Sequence, residues 1–287
     1  MPTFIKAFTK QTYIALCVAC LLVVLVLWQT AITLPPESLR VVMFDIGQGD
    51  AIFIETPDGI QVLVDAGKGD AVLEELAKEI GMFDRYIDVA IVTNPDADHF
   101  GGFTPVFKKY RVGLLVDSGM VAAGDMYEAF ARAASSSVRM RHTARRGHVL
   151  HLGASTTLTF LYPDYIDGLS DNDGSLVARL DYASTSLLLT GDTTKKIESI
   201  LLAHDGPLLN VDILKVAHHG SKTSSSAEFV DAVSPTFALI SAGKNNSYGH
   251  PHADVLSVLQ DRGVRVLGTY DVGTIVLKSD GEQWEPE

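Results

Sequence analysis

Asp96, Asp98 and His99 stand within four residues of one another in the segment 93–102, which ends in Gly101 and Gly102. Carboxylates and an imidazole packed so closely repel or desolvate badly unless a cation neutralises them. The segment therefore reads as a metal cradle as readily as a solvated turn with a helix N-cap. The residues before it, 87–92, are an apolar run suited to a buried strand. The arrangement recurs: 187–190 lead to Gly191 and Asp192, 211–216 to His218 and His219, and 237–241 to Tyr248, His250 and His252. Four strands that each deliver Asp or His at one end are hard to explain as caps and turns. A divalent ion held by such groups lowers the pKa of a bound water to give hydroxide. A second ion, or a donor such as His218 or His219, can stabilise charge developing on a substrate oxygen. The donors are mixed, which leaves Zn and Mn both open, as one ion or two.

Around this core lie residues with plainer readings. Asp65 is expected to orient a ligand histidine or the acidic loop. Asp45 and Asp50 flank a Gly-Gln-Gly turn and are expected to be site-adjacent but structural. Successive residues leaving a strand point to opposite faces, so only one of His218 and His219 is expected to face the metal. His252 follows Pro251 and reads equally as the start of a helix. The segment 139–148 packs Arg139, Arg141, Arg145 and Arg146 with two histidines. It is either a solvated hairpin paired with acidic groups of the fold or an edge that contacts phosphate.

Together, 44–51, 63–67, 94–102, 189–192, 217–226 and 245–252 resemble the metallo-β-lactamase-fold hydrolases. Within that family they are most similar to the extracytoplasmic hydrolase domain of ComEC-type competence proteins, which take up DNA. The resemblance spans about 39–281. It implies a four-layer αββα sandwich with Asp96, Asp98, His99, a bridging-type Asp192 and His250 as metal ligands. Asp98, His218 and His219 would act in catalysis, with Ser221 and Tyr248 near the substrate. The implied substrate is a phosphodiester, in the DNA strand that is not imported. The chain departs from the family pattern at Asn94, where the family has His, and at Gly174, where the branch tends to have Asn. Both changes fall on one side of a two-metal site. Two other readings follow: hydrolysis of another ester or a lactone on the same fold, or a degenerate, non-catalytic binding module.

A chain of 287 residues, 47% hydrophobic, has room for one α/β domain and a short leader. The net charge of −12 argues against bulk attraction to nucleic acid, so any DNA contact must be local. Both cysteines, Cys17 and Cys20, lie in the leader, leaving the rest without disulfides or Cys-ligated metal. Residues 13–28 are almost continuously apolar and follow Lys6 and Lys10. This predicts a single-pass membrane helix with the remainder outside the cytoplasm, or alternatively a secreted protein after signal cleavage. The expected divisions are an anchor at 1–34, a linker at 35–38 and the hydrolase domain at 39–287. One apolar segment leaves no channel, so a separately encoded DNA-uptake channel is an expected partner.

The elements that would position the site are strands near 39–46, 50–55, 61–65, 87–92, 111–116, 156–161, 175–181 and 184–189. Further strands are expected near 211–216, 236–241, 264–268 and 273–277. Helices are expected near 71–81, 101–109, 125–135, 193–204, 226–233 and 253–262. Early strands followed by strand–helix alternation are compatible with two packed sheets and outer helices.

Overall fold

The computed structural model describes residues 10–32, 38–81 and 83–287. Two compact units, 1–35 and 36–287, divide the chain. In the first, helix α1 runs Lys10–Ile32. Its described apolar side chains are more than half exposed, Leu21 and Val26 at 59%. Among the described residues no helix is long and apolar enough to cross a membrane. The side chains of 27–32, and most of the expected linker at 35–38, lie outside the described residues.

The second unit opens with strands β1 (Leu39–Met43), β2 (Ile52–Glu55) and β3 (Gln61–Val64), then helix α2 (Ala71–Glu79) and strand β4 (Tyr86–Val92). Two short helices, α3 (Ala97–Phe100) and α4 (Phe103–Lys109), precede β5 (Arg111–Asp117), α5 (Asp125–Ser137), β6 (Val138–Thr143) and β7 (Val149–His151). There follow β8 (Thr156–Tyr162), β9 (Val177–Tyr182), β10 (Thr185–Leu189), α6 (Lys195–Leu209), β11 (Ile213–Lys215) and α7 (Ala227–Val233). The chain ends with β12 (Phe237–Ile240), α8 (Ala253–Gln260), β13 (Arg265–Gly268), α9 (Thr269–Val272), β14 (Ile275–Ser279) and β15 (Trp284–Pro286).

These strands make two sheets, ordered β15-β14-β1-β2-β3-β4-β5-β6 and β13-β12-β11-β10-β9-β8-β7. Alternation along each strand sends side chains to opposite faces. Val41, Met43, Ile52 and Ile54 pack with Leu158, Phe160, Leu187 and Ile213 between the sheets. Val42, Phe44, Phe53 and Leu63 pack instead with Val72, Leu76, Phe103 and Phe130 of the helices on the first sheet. Leu188, Leu214 and Ala238 do the same with Ile197, Leu201 and Phe229 on the second. Three separate cores require four layers, helix–sheet–sheet–helix.

The arginine segment departs from the expected hairpin. Val138–Thr143 is edge strand β6, parallel to β5, and Val149–His151 pairs antiparallel with β8 in the other sheet. The segment is where the chain crosses between sheets. Its charged side chains suit a sheet edge, which must resist pairing with other chains.

Candidate metal centre

The site lies where the ends of β4, β10 and β11 meet the loop before β2. Thr93 leaves β4 and donates both its backbone N–H (2.8 Å) and its hydroxyl (2.5 Å) to the Asp65 carboxylate. That carboxylate also takes His99 Nδ1 at 2.8 Å, which turns Nε2 of His99 away from it. Asp65 sits at φ 57°, a left-handed conformation that Asp tolerates better than most residues. Helix α3 is seated by Ala66 N–H donating to His99 O (2.8 Å) and Gly102 N–H donating to Gly67 O (2.8 Å). A Cβ at Gly102 would collide with Ala66 O, so close docking of α3 requires glycine there.

Asp98, His99, Asp192 and His219 converge. His99 Nε2 lies 3.2 Å from Asp192 Oδ2. His219 Nε2 lies 3.4 Å from Asp98 Oδ2 and 3.7 Å from Asp192 Oδ2. Asp98, His99 and His219 form one group of donors able to share an ion, and Asp50, Asp192 and His219 another. His99 Nε2, His219 Nε2, Asp192 Oδ1 and Asp50 Oδ1 are buried without a hydrogen-bond partner among the described residues. Buried polar atoms are seldom left so. Unpaired atoms among such donors fit a divalent cation.

Charge in the cluster is strongly displaced. Burial lowers the His219 pKa, but Asp192 and Asp50 outweigh it and raise it to about 10. Burial raises Asp50, yet Lys215 and His219 bring it down to about 2. Asp192 lies well below the carboxylate range, since His99 and His219 overcome its burial. Asp96 moves the other way, pushed up by burial and by Asp171 and Asp98. Lys215 is buried and pairs with Asp50, and its Nζ donates to Gly191 O at 3.1 Å. Composition alone did not single it out. The available signal was a lysine inside the apolar run 211–216, because a buried ammonium needs a carboxylate partner.

Compared with the expected ligands, the donor groups gain His219 and leave out Asp96 and His250. His219, expected to act on substrate, sits among the ligand atoms, with Nδ1 2.9 Å from Ser241 O. His250, expected as a ligand, is outside these groups, but its ring lies 6.2 Å from that of His219 and its Nδ1 too is buried without a hydrogen-bond partner among the described residues. Its pKa is pushed down to about 4, by burial and by His219 and His218. His218 and His219 do not point to opposite faces, because both adopt left-handed backbone, φ 52° and 55°. Both line the same cavity. His218 Nε2 lies 3.9 Å from Asp192 Oδ2, and burial holds its pKa below the ordinary value.

Asn94 is fully buried. Its Oδ1 accepts Asp96 N–H at 2.8 Å, and its Nδ2 donates to Ser175 Oγ (3.0 Å) and Asn172 Oδ1 (3.1 Å). With both ends engaged, it braces the acidic loop. At Gly174 a Cβ would collide with Met120 Sδ. Asp45 is exposed and caps its own turn, accepting Gly47 N–H at 3.3 Å. Ser221 Oγ lies 2.9 Å from Thr223 Oγ1. Among the arginines, Arg141 pairs with Asp117 and Arg146 with Asp164 and Asp205. Arg145 Nη1 donates to Ser118 O at 2.8 Å, and Arg139 projects from β6. None of the four lines the cavity beside the cluster, which measures about 390 Å³ and is bordered by Asp96, Lys68 and Tyr248.

Residues 44–244 match the profile of a family described as the metallo-beta-lactamase superfamily. The chain belongs to the metallo-beta-lactamase superfamily. The match takes in the whole converged cluster and stops short of Tyr248 and His250. This metallo-beta-lactamase chain is homologous to ComEC-type competence proteins. It is 34% identical to ComE operon protein 3 of Bacillus subtilis over 81% of its length and 32% of that protein's. It is 30% identical to competence protein ComA of Neisseria gonorrhoeae over 82% of its length and 31% of that protein's. It therefore spans about a third of the curated relatives it matches. The metallo-beta-lactamase fold protein YhfI of Bacillus subtilis shares the fold, with a TM-score of 0.55 at 15% identity, covering 84% of this chain and 100% of that one.

Proposed function

We propose that the chain is a metal-dependent phosphodiesterase that cuts DNA outside the cytoplasm. The observation that carries this reading is the converged set of Asp98, His99, Asp192 and His219, with unpaired ring nitrogens and a carboxylate oxygen directed together beside a cavity. A divalent ion held there, Zn or Mn, would supply hydroxide near neutral pH and a Lewis acid for a phosphoryl oxygen. The chain's own residues prepare the rest. Asp65 fixes the His99 ring and the Ser241 carbonyl fixes that of His219, so neither imidazole turns away. His218, a neutral imidazole on the cavity wall, can accept a proton from an attacking water. The cavity is at the small end of ligand sites, which run about 300–1,000 Å³, and suits a short stretch of strand.

Homology to competence proteins supports DNA as the substrate. The anchor belongs to the same proposal and rests on the sequence alone, on the apolar run at 13–28 after Lys6 and Lys10. The test is cleavage of labelled DNA by the full chain in detergent with Mn²⁺ or Zn²⁺, beside a lactone and thioester panel. Metal-dependent strand cleavage is expected. Turnover of the esters alone would overturn the reading.

A further inference from the structure

Tyr248 and Lys68 line the cavity without a role in the metal cluster. Tyr248, in the loop after β12, is 65% exposed, while its ring stacks on His250 at 5.7 Å between centroids and 22° between planes. Its backbone is fixed by N–H donation to Asn246 Oδ1 at 3.1 Å. Asn246 in turn accepts the His250 N–H at 3.0 Å. The tyrosine is thus a backed aromatic plate standing open at the cavity, although large aromatic surface is ordinarily buried. Lys68, in the turn after β3, is exposed and lines the same cavity. Among the described residues it is the only Lys or Arg on that wall, and it forms no ion pair. In a chain of net charge −12, an ammonium on the cavity wall can draw in a phosphate beside the one that the metal would hold. The arginines Arg141, Arg145 and Arg146 are spoken for elsewhere.

We propose that Tyr248 and Lys68 form a nucleotide subsite: an unpaired base stacks on the Tyr248 ring, and Lys68 binds a phosphate beside the one that is cut. This rests on the phosphodiesterase reading above and names the contacts that give it selectivity. Stacking tolerates any base, because every base has a π face, so the subsite reads the presence of a base and not its identity. A base within a duplex has both faces covered and must first be unstacked.

The test compares cleavage kinetics of the full chain on an oligothymidylate and on an abasic oligomer with the same phosphates. The unaltered protein is expected to show a KM about tenfold lower for the base-bearing strand. Tyr248→Ala should collapse that ratio towards one and Tyr248→Phe should keep it. Lys68→Ala should raise KM for both strands alike and flatten the salt dependence by about 0.7 in slope, the share of one phosphate on a single strand. Lys68→Arg should restore both. If Tyr248→Ala leaves the ratio unchanged, or Lys68→Ala leaves KM and slope unchanged, the subsite is overturned while the phosphodiesterase reading stands. If the unaltered protein cuts neither strand, both fall together.

Discussion

His99 is gripped from behind by Asp65, and that grip is testable without touching a ligand atom. Asp65→Asn keeps the shape and tolerates the same left-handed backbone, but removes the charge that orients the ring. Metal affinity, read by competition with a chelator, should fall roughly 10–100-fold. Unchanged affinity would show that the ring is held by packing alone. The neighbouring charges predict how the metal-free protein responds to pH. The His219 pKa is raised from 6.5 to about 10. The stability it contributes is therefore fully present below about pH 6.5 and is lost as pH rises toward 10. Asp50 is depressed from 3.8 to about 2, so its contribution is present above about pH 3.8 and is lost as pH falls toward 2. Thermal melts in chelator should show the highest Tm between about pH 4 and 6.5, with a decline on both sides. A flat Tm from pH 6.5 to 10 would contradict the assignment of a buried, charged His219.

At the scale of elements, Lys215 at the end of β11 in one sheet pairs with Asp50, which precedes β2 in the other. Lys215→Met strips the buried Asp50 carboxylate of its ammonium partner and should cost about 3 kcal/mol, seen as a lower denaturant midpoint. Adding Asp50→Asn should recover much of the loss. A cost below about 1 kcal/mol would mean that water already reaches the pair. This link was not legible in the sequence, because nothing local says which distant acid meets a lysine in an apolar strand. What was legible was periodic. The runs at 87–92, 187–189 and 237–240 are strands, and the acidic and histidine residues after them gather at one end of the sandwich. Strand β6 was missed because charges on an edge strand mask its alternation, its exposure pattern being almost uniform. The places of His218 and His219 were misjudged because the extended backbone assumed for them is left-handed in both. Whether His219 or His250 joins the ligands depends on loop geometry that spacing does not encode.

Over the whole molecule, three cores hold the two sheets and their helices so that the ends of β4, β10 and β11 present donors to one point. The net charge of −12 argues against bulk attraction of nucleic acid, so on the proposed reading contact with DNA is local to the cavity. Asn94 has both ends of its amide occupied within the fold, so the centre is expected to fill with one ion before any second. The most direct measurement is a titration of Mn²⁺ or Zn²⁺ into chelator-stripped full chain, with bound metal and DNA cleavage followed together. Cleavage should rise in step with bound metal and level off near one ion per chain, and His219→Ala should lose both. Metal bound without cleavage, or cleavage that persists with no metal bound, would contradict a metal-dependent phosphodiesterase.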